Sequence, residues 1–295
     1  MMRPVSSLLL LSGLLVAPAA LAEGAGAPKP PPYSLPWQLR PIAPANVVRL
    51  DLPVASHEGG STYAPVLTGG YAVTPEFGAL ARVGYVSTAP DEGAGASGFT
   101  NPLIGALYSP KLGGELKLAL FAGVALPLGS GGGNDPDPKS RIGAGVLARS
   151  ALDNALFAVN DLVPLAGVDV AWVSGGFTLQ AEATVLELLR MRGEDVQKDK
   201  TKTNSTAGLH AGYFFIPQLS IGLELRHQRW LSTPSFLKGA PSENRDNTTA
   251  AAGLRGHVAA GDVKLKPGLA YVMPLDDPMK EGKYGIVFAD VPVIF

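Results

Sequence analysis

The residues that could carry chemistry are few and scattered along this chain of 295 residues, which holds four histidines and no cysteine. Without cysteine, the chain has no disulfide, no thiolate metal site and no cysteine nucleophile. The His-Glu-x-x-His pattern of helical zinc sites does not occur in the sequence. His227 stands close to Ser232 and Ser235, and a serine paired with a histidine can attack an ester bond.

Two further motifs are typical of ligand binding when taken alone. Gly93 to Gly98 matches the G-x-G-x-x-G pattern, but a dinucleotide site needs a helix after it, and here strand patterns stand on both sides. Asn134, Asp135 and Asp137 carry the oxygen ligands that Ca²⁺ prefers, although a solvated Gly-rich loop has the same composition. The sequence therefore predicts no catalytic residue, no cofactor and no metal site, and the chain is expected not to be an enzyme.

Composition limits the fold that could position any of these residues. The chain has 36 Gly and 26 Pro, yet it is 46% hydrophobic and only 17% charged. Glycine and proline at this density break helices, which excludes a mainly helical protein. The apolar content excludes a disordered chain. A net charge of −1 argues against a nucleic-acid partner, because nucleic-acid binders carry a basic surface.

The N-terminus reads as an export signal followed by an arm. Residues 1–22 have Arg3, a short apolar core and the cleavage pattern Ala20-Leu21-Ala22, which predicts a signal peptide and a mature chain that begins at Glu23. Residues 23–45 hold seven prolines and are expected to form an extended Pro-rich arm and not a packed domain. A β-barrel domain is predicted from there to the end, over residues 46–295.

The barrel prediction rests on alternation with a period of two. In Leu219–Leu231, leucine and isoleucine occupy one face, and small or polar residues such as Glu224, Arg226 and Gln228 occupy the other. Runs of this length fit transmembrane β-strands, and tight turns alternate with polar loops between them, as in outer-membrane barrels. We predict an antiparallel up-and-down barrel of about twelve strands over residues 46–56, 61–73, 78–88, 98–109, 114–128, 162–174, 177–190, 202–215, 218–231, 247–259, 262–274 and 283–295.

The stretch 129–161 leaves the strand count open. Ile142, Val146, Leu152 and Leu156 have roughly helical spacing, which favours a long third outer loop with a short helix that could fold into the lumen. Two extra strands in this stretch would instead give a fourteen-stranded barrel. A loop of this length is uncommon unless it is functional.

The last strand, Lys283–Phe295, ends in an aromatic residue with Val287, Val291 and Val293 on one face. It resembles the terminal strand of bacterial outer-membrane β-barrels, in which the final Phe, here Phe295, is the assembly signal. The hairpin Tyr213–Leu223 and the strand Gly98–Tyr108 are similar to those of transporter-like barrels associated with phenol-type degradation pathways. The resemblance implies an outer-membrane channel or uptake protein for small solutes, hydrophobic or aromatic ones among them.

If the aliphatic faces meet lipid, the opposite faces line a lumen of mixed charge, whereas a strongly selective ion pore would show a ring of one sign. A mixed lumen fits a channel for neutral solutes or a barrel closed by internal ion pairs. The alternatives are a structural or surface-interaction barrel and an outer-membrane lipid hydrolase. The predicted lumen-lining residues are Arg49, Asp51, Arg82, Asn101, Lys117, Asp169, Gln180, Glu182, His210, Glu224, Arg226, Gln228, Arg255, His257, Lys264, Lys266 and Asp290.

The expected surroundings follow from these assignments. The predicted location is the bacterial outer membrane, where the barrel would contact lipid and lipopolysaccharide. The predicted partners are the barrel-assembly machinery, through the C-terminal strand, and a small solute. The chain is expected to be a monomer.

Overall fold

The computed structural model describes residues 32–140 and 153–295. Pro31–Phe295 form one compact unit. The predicted signal peptide and the first residues of the arm lie outside the described residues, as does the middle of the predicted outer loop. Within the described part of the chain, no helix is both long and apolar enough to cross a membrane.

In the described part of the chain, sixteen β-strands build one antiparallel sheet that closes on itself. The closing pair runs from Val47 opposite Ile294 to Ser56 opposite Gly285. The strands are β1 (Val47–His57), β2 (Gly60–Tyr63), β3 (Val66–Ala72), β4 (Phe77–Pro90), β5 (Ala96–Phe99), β6 (Leu103–Tyr108), β7 (Leu116–Ala125), β8 (Asp161–Ser174), β9 (Phe177–Arg190), β10 (Thr201–Ile216), β11 (Leu219–Trp230), β12 (Asp246–Gly256), β13 (Val258–Ala260), β14 (Val263–Leu265), β15 (Gly268–Pro274) and β16 (Gly285–Ile294).

The barrel has twelve positions, because four of them are each shared by two short strands: β2 with β3, β5 with β6, β12 with β13, and β14 with β15. The prediction of twelve strands is therefore confirmed, and the fourteen-stranded alternative is not. Three of the four interruptions contain a proline, namely Pro65, Pro102 and Pro267. Proline has no N–H to give to the ladder, so it interrupts pairing where it occurs.

Side chains alternate across the wall, as the period of two predicts. In β9, Thr178, Gln180 and Glu182 are buried inside the barrel, while Leu179 and Val185 are about half exposed on its outer surface. The outer face is thus apolar and the inner face polar, the reverse of a soluble core and the pattern of a barrel that crosses a bilayer. Large apolar side chains continue this outer surface on the neighbouring strands, including Leu209, Leu223, Leu254 and Leu269.

The two ends of the barrel differ. One end, called here the turn end, carries the tight connections 73–76, 175–176, 217–218 and 261–262 and both termini of the barrel. The other, the loop end, carries the long connections, of which 126–160 is the longest. Within this loop the structure shows a short helix, Asn154–Phe157, all four residues of which are buried.

Candidate functional site: the barrel lumen

The lumen is occupied by the chain's own N-terminal arm, defined here as residues 32–45. Within it, Leu35, Trp37, Gln38 and Leu39 are each less than a tenth exposed. The arm forms neither helix nor strand, and Pro36, Pro41 and Pro44 contribute no N–H that could join a β-ladder. Its backbone polar groups are nevertheless enclosed, so they need other partners. Side chains of the barrel wall supply them.

Carboxylates on the wall accept hydrogen bonds from the backbone of the arm. The two oxygens of Glu224 accept from Trp37 N at 2.6 Å and from Gln38 N at 3.0 Å. Glu182 Oε2 accepts from Arg40 N at 2.7 Å. Bonds of this kind to an ionised acceptor are about twice as strong as neutral ones, so these two carboxylates fix the path of the arm.

Arginines of the wall donate to the carbonyl groups of the arm. Arg49 donates to Pro36 O at 3.1 Å and also to Trp37 O. Arg255 Nε donates to Leu35 O at 3.0 Å, and Arg226 Nη1 to Gln38 O at 2.6 Å. The same inner wall therefore accepts from the N–H groups of the arm and donates to its carbonyls, and β11 does both through Glu224 and Arg226.

Further contacts lie at both ends of the buried segment. Gln180 Nε2 donates to Arg40 O at 2.8 Å, and Ser34 N donates to Thr178 Oγ1 at 2.9 Å. The O–H of Tyr33 donates to Gln180 Oε1 at 2.6 Å, and burial raises the pKa of this phenol. Because Thr178 is at the turn end of β9, the arm enters and leaves the lumen at the turn end.

The side chain of Arg40 anchors the innermost part of the arm. Its guanidinium lies 3.2 Å from Asp169 Oδ2 and 3.5 Å from Glu182 Oε1, and it donates to Thr184 Oγ1 at 2.8 Å. It also lies 4.7 Å from the centre of the Phe121 ring. Asp169 and Glu182 are almost completely buried, so without Arg40 their charges would have no partner of opposite sign from the arm.

Glycines on the inner wall leave the space that the arm fills. A Cβ added to Gly208 would come within 2.9 Å of Leu39 Cγ, and one added to Gly222 would come within 2.6 Å of Trp37 Cζ3. A Cβ on Gly212 would overlap Ser34. Since contacts this short do not occur between real side chains, the wall is shaped to the arm.

The loop end of the lumen is covered by the last part of the loop 126–160. Asn101, which is fully buried, donates through Nδ2 to Ala158 O at 2.8 Å and accepts from Gly129 N at 3.0 Å. Its own N–H donates to Leu156 O at 2.8 Å. Arg82 forms an ion pair with Asp153 at 2.7 Å, just before the short helix. These contacts hold the helix inside the barrel.

A cavity of about 140 Å³ remains between the arm and this loop. Trp37, Gln38 and Arg40 line it from the arm, and Asp153 and Ala155 line it from the loop. The wall contributes an apolar side and charged groups. These wall residues include Leu80, Leu103, Phe121, Leu165, Leu186, Arg82, Glu182 and Arg226.

Eleven of the seventeen residues predicted to line the lumen are buried inside the barrel, and eight of these form three charged clusters. Arg49 pairs with Asp51 at 2.6 Å and with Asp290 at 3.0 Å, and Arg255 pairs with Asp290 at 2.9 Å. The second cluster joins Asp169 and Glu182 to Arg40, and the third joins His210 to Glu224 at 3.1 Å. The buried members of the predicted set are Arg49, Asp51, Asn101, Asp169, Gln180, Glu182, His210, Glu224, Gln228, Arg255 and Asp290.

The other predicted residues lie nearer the ends of the barrel or are partly exposed. Arg82 and Arg226 are half-buried beside the cavity, and Lys117 and Lys266 are also half-buried. His257 accepts or donates a hydrogen bond at 2.9 Å with Ser220 at the turn end. Lys264 is exposed, opposite Ile294 in the neighbouring strand, and contributes nothing to the arm contacts described above.

The histidine–serine, acidic-loop and glycine motifs noted in the sequence make hydrogen bonds to other residues or belong to loops, and do not come together as a site. His227 contacts Thr248 Oγ1 at 2.9 Å, whereas Ser232 and Ser235 bond to Thr203 and Asp199. No hydrogen bond joins His227 to either serine in the described part of the chain. Asn134 Oδ1 accepts from Asp195 N, and Asp137 Oδ1 accepts from Lys139 N. Residues 93–98 form a loop that runs into β5.

The closure of the lumen by the arm was not predicted from the sequence. The sequence does carry an indication of burial, because this segment is more apolar than a solvated linker. Its apolar residues are Leu35, Trp37, Leu39 and Ile42. Apart from Arg49, the wall residues that bond to the arm are 129 to 220 residues away from their partners in sequence, so no local pattern could have identified them.

No family model matches the chain, and no curated protein matches its sequence. Among solved structures, an outer-membrane channel from Pseudomonas putida F1 has a TM-score of 0.56 at 12% identity, covering 88% of this chain and 98% of that one. The NanC porin has a TM-score of 0.51 at 10% identity, covering 83% and 98%. These comparisons show the fold. The chain is an outer-membrane-type β-barrel of the architecture found in channels and porins, and nothing at the sequence level ties it to phenol-type pathways.

Proposed function

We propose that this protein is an outer-membrane channel or uptake protein for small solutes, whose lumen is closed at rest by the arm. The observation that carries the proposal is the cavity between the arm and the inward-folded loop. It lies between the two segments that block the lumen, because residues of both line it. A solute that crosses the barrel must pass this cavity and displace the arm.

The cavity also supports a class of solute. Its size, about 140 Å³, and its lining of Leu103, Leu165, Leu186 and Phe121 suit an apolar or aromatic molecule. An apolar cavity of about this volume holds benzene in a protein of known structure. Charged groups also line the cavity, namely those of Arg40, Arg49, Asp51, Arg82, Asp153, Glu182 and Arg226. Small hydrophobic or aromatic molecules are therefore the proposed solutes. The turn end of the barrel is proposed to face the periplasm, as the short turns of outer-membrane barrels do.

Planar-bilayer conductance and liposome swelling test the channel. The full-length wild-type protein is expected to conduct weakly, because the arm fills its lumen. Arg40→Glu places a third carboxylate beside Asp169 and Glu182, so this variant is expected to release the arm and to conduct much more. If neither protein admits ions or small solutes, the barrel is a structural or surface-interaction protein and the channel proposal is wrong.

The remaining expectations concern export and assembly. We propose that residues 1–22 are removed, so N-terminal sequencing of the mature protein should begin at Glu23. We also propose that Phe295, which is 60% exposed at the end of β16, is the signal for the barrel-assembly machinery. Deleting Phe295 should lower the amount of folded barrel in the outer membrane while leaving export to the periplasm intact. The mature barrel is proposed to be a monomer.

A further inference from the structure

The wall of the lumen recognises a peptide backbone through its side chains. Four N–H groups of the arm, those of Ser34, Trp37, Gln38 and Arg40, donate to wall side chains. Five carbonyls, those of residues 35, 36, 37, 38 and 40, accept from wall side chains. Strands usually satisfy such groups by backbone pairing, and here no strand pairs with the arm.

The arrangement of these partners matches the amide groups of a bent chain segment, because the backbone of the arm bends at residues 37–39. Glu224 accepts from two consecutive N–H groups, while Arg49 donates to two consecutive carbonyls. The carboxylate and the guanidinium are therefore placed to bind a peptide bend. If the arm only had to close the lumen, apolar packing would be enough, because buried ion pairs contribute little net stability.

The wall also has side-chain subsites. Gly222 leaves room for the Trp37 ring, which lies 5.1 Å from the Arg255 guanidinium, and Gly208 leaves room for Leu39. Asp169 and Glu182 form an acidic subsite that binds Arg40. An aromatic, an aliphatic and a cationic side chain are thus each accommodated by a different feature of the wall.

We propose that the lumen is a binding site for short cationic peptides in a bent conformation, and that the arm occupies it as an internal mimic of that solute. This inference rests on the proposed channel function and adds a second class of solute, peptides with apolar or aromatic side chains and a basic residue. Because the arm is tethered, its effective concentration is in the millimolar range, so a free peptide competes only when the arm is weakened.

The test uses the full-length Arg40→Glu variant and a synthetic heptapeptide with the sequence of Ser34–Arg40, labelled with fluorescein. The heptapeptide carries the basic residue that the arm of this variant lacks, so it is expected to bind, as measured by fluorescence anisotropy in detergent. A control heptapeptide that ends in Glu is expected to bind at least tenfold more weakly. In planar bilayers the first peptide should block the current of the variant, and the control peptide should not.

Wall variants locate the bound peptide. Adding Glu224→Gln to the Arg40→Glu variant removes the charged acceptor for two N–H groups and should weaken peptide binding about tenfold. Gln218→Glu, a change at an exposed turn, should leave peptide binding unchanged. Arg40→Glu alone could leave the arm bound in the lumen. A second variant, Trp37→Ala/Arg40→Glu, therefore also removes the buried ring of the arm.

The outcomes separate this inference from the channel function. If the variants conduct but neither binds the native heptapeptide more tightly than the control, the peptide site is wrong and the channel remains. If the variants bind the heptapeptide but do not conduct, the site stands as a binding site and the channel function is wrong. Absence of both binding and current overturns both.

Discussion

Arg40 and Glu182 are joined through both backbone and side chain. The N–H of Arg40 donates to Glu182 Oε2 at 2.7 Å, and the guanidinium of Arg40 lies 3.5 Å from Glu182 Oε1. One carboxylate on β9 therefore fixes both the position and the charge of the arm at its innermost point. Its neighbour Asp169 on β8 completes the site.

Arg40→Ala should open the lumen. Removing one partner of a buried ion pair costs about 3–5 kcal/mol when the other charge stays buried. Release of the arm hydrates Asp169 and Glu182 and avoids that cost, so the open fraction should rise by about two orders of magnitude or more. Single-channel recording measures this fraction. Arg229→Ala is the matched control, because Arg229 pairs with Asp246 at the exposed rim and such pairs contribute about 0–1 kcal/mol.

A disulfide between the arm and the wall should lock the channel. The natural chain has no cysteine, so the pair Leu39→Cys/Gly208→Cys introduces the only two thiols. A Cβ on Gly208 would lie 2.9 Å from Leu39 Cγ, which brings the two Cβ atoms within reach of a disulfide. Oxidation should suppress the current, and a reductant should restore it. A current that is unaffected by the redox state would show that the arm does not gate the lumen.

Gly222→Val should displace the arm without changing any charge. The added Cβ would meet Trp37 Cζ3 at 2.6 Å, and overpacking of this kind typically costs about 1–3 kcal/mol. Conductance should rise about tenfold. Gly69→Val places the same side chain on β3, where nothing lies within 4 Å of the new Cβ. If both variants conduct alike, steric contact with Trp37 is not what holds the arm.

Asn101→Leu should release the loop that covers the cavity. The change leaves Gly129 N and Ala158 O without their partner, and each buried group left unpaired costs about 1–3 kcal/mol. Proteolytic cleavage within 126–160 should accelerate, while the barrel still migrates as a folded species on gels. The same substitution at the exposed Asn134 should change the cleavage rate little. Equal rates in the two variants would contradict the anchoring role.

The contact between Asp199 and Ser235 should make the outer loops sensitive to acid. Burial would raise the pKa of Asp199, but hydrogen bonds from Ser235 N and Oγ, both 2.7 Å, outweigh it and hold this pKa below its usual value. A lowered pKa stabilises the contact at all pH values above about 4, and the contact is lost as the pH falls through the folded-state pKa. The Ser235 amide resonance should report this change, and Asp199→Asn should abolish its pH dependence below pH 4.

The wall could be predicted from the sequence because its signal is periodic and local. The predicted strand 177–190 matches Phe177–Arg190, and the predicted 162–174 differs from Asp161–Ser174 by one residue. The interruptions of the ladder were not predicted, although Pro65, Pro102 and Pro267 mark three of them. The partners of the arm could not be predicted, since an irregular segment has no period and its contacts depend on how the barrel closes.

The junction of the arm with β1 has a consequence for how the molecule is made. Asn46 directly follows the arm, and its carbonyl accepts the N–H of Phe295 in β16's terminal extension. The β1–β16 pairing that closes the barrel therefore begins beside the residue to which the arm is attached. A hollow sheet has no interior of its own to pack against, and in this chain residues 32–45 fill that interior. Changes that displace the arm are therefore expected to slow assembly of the barrel as well.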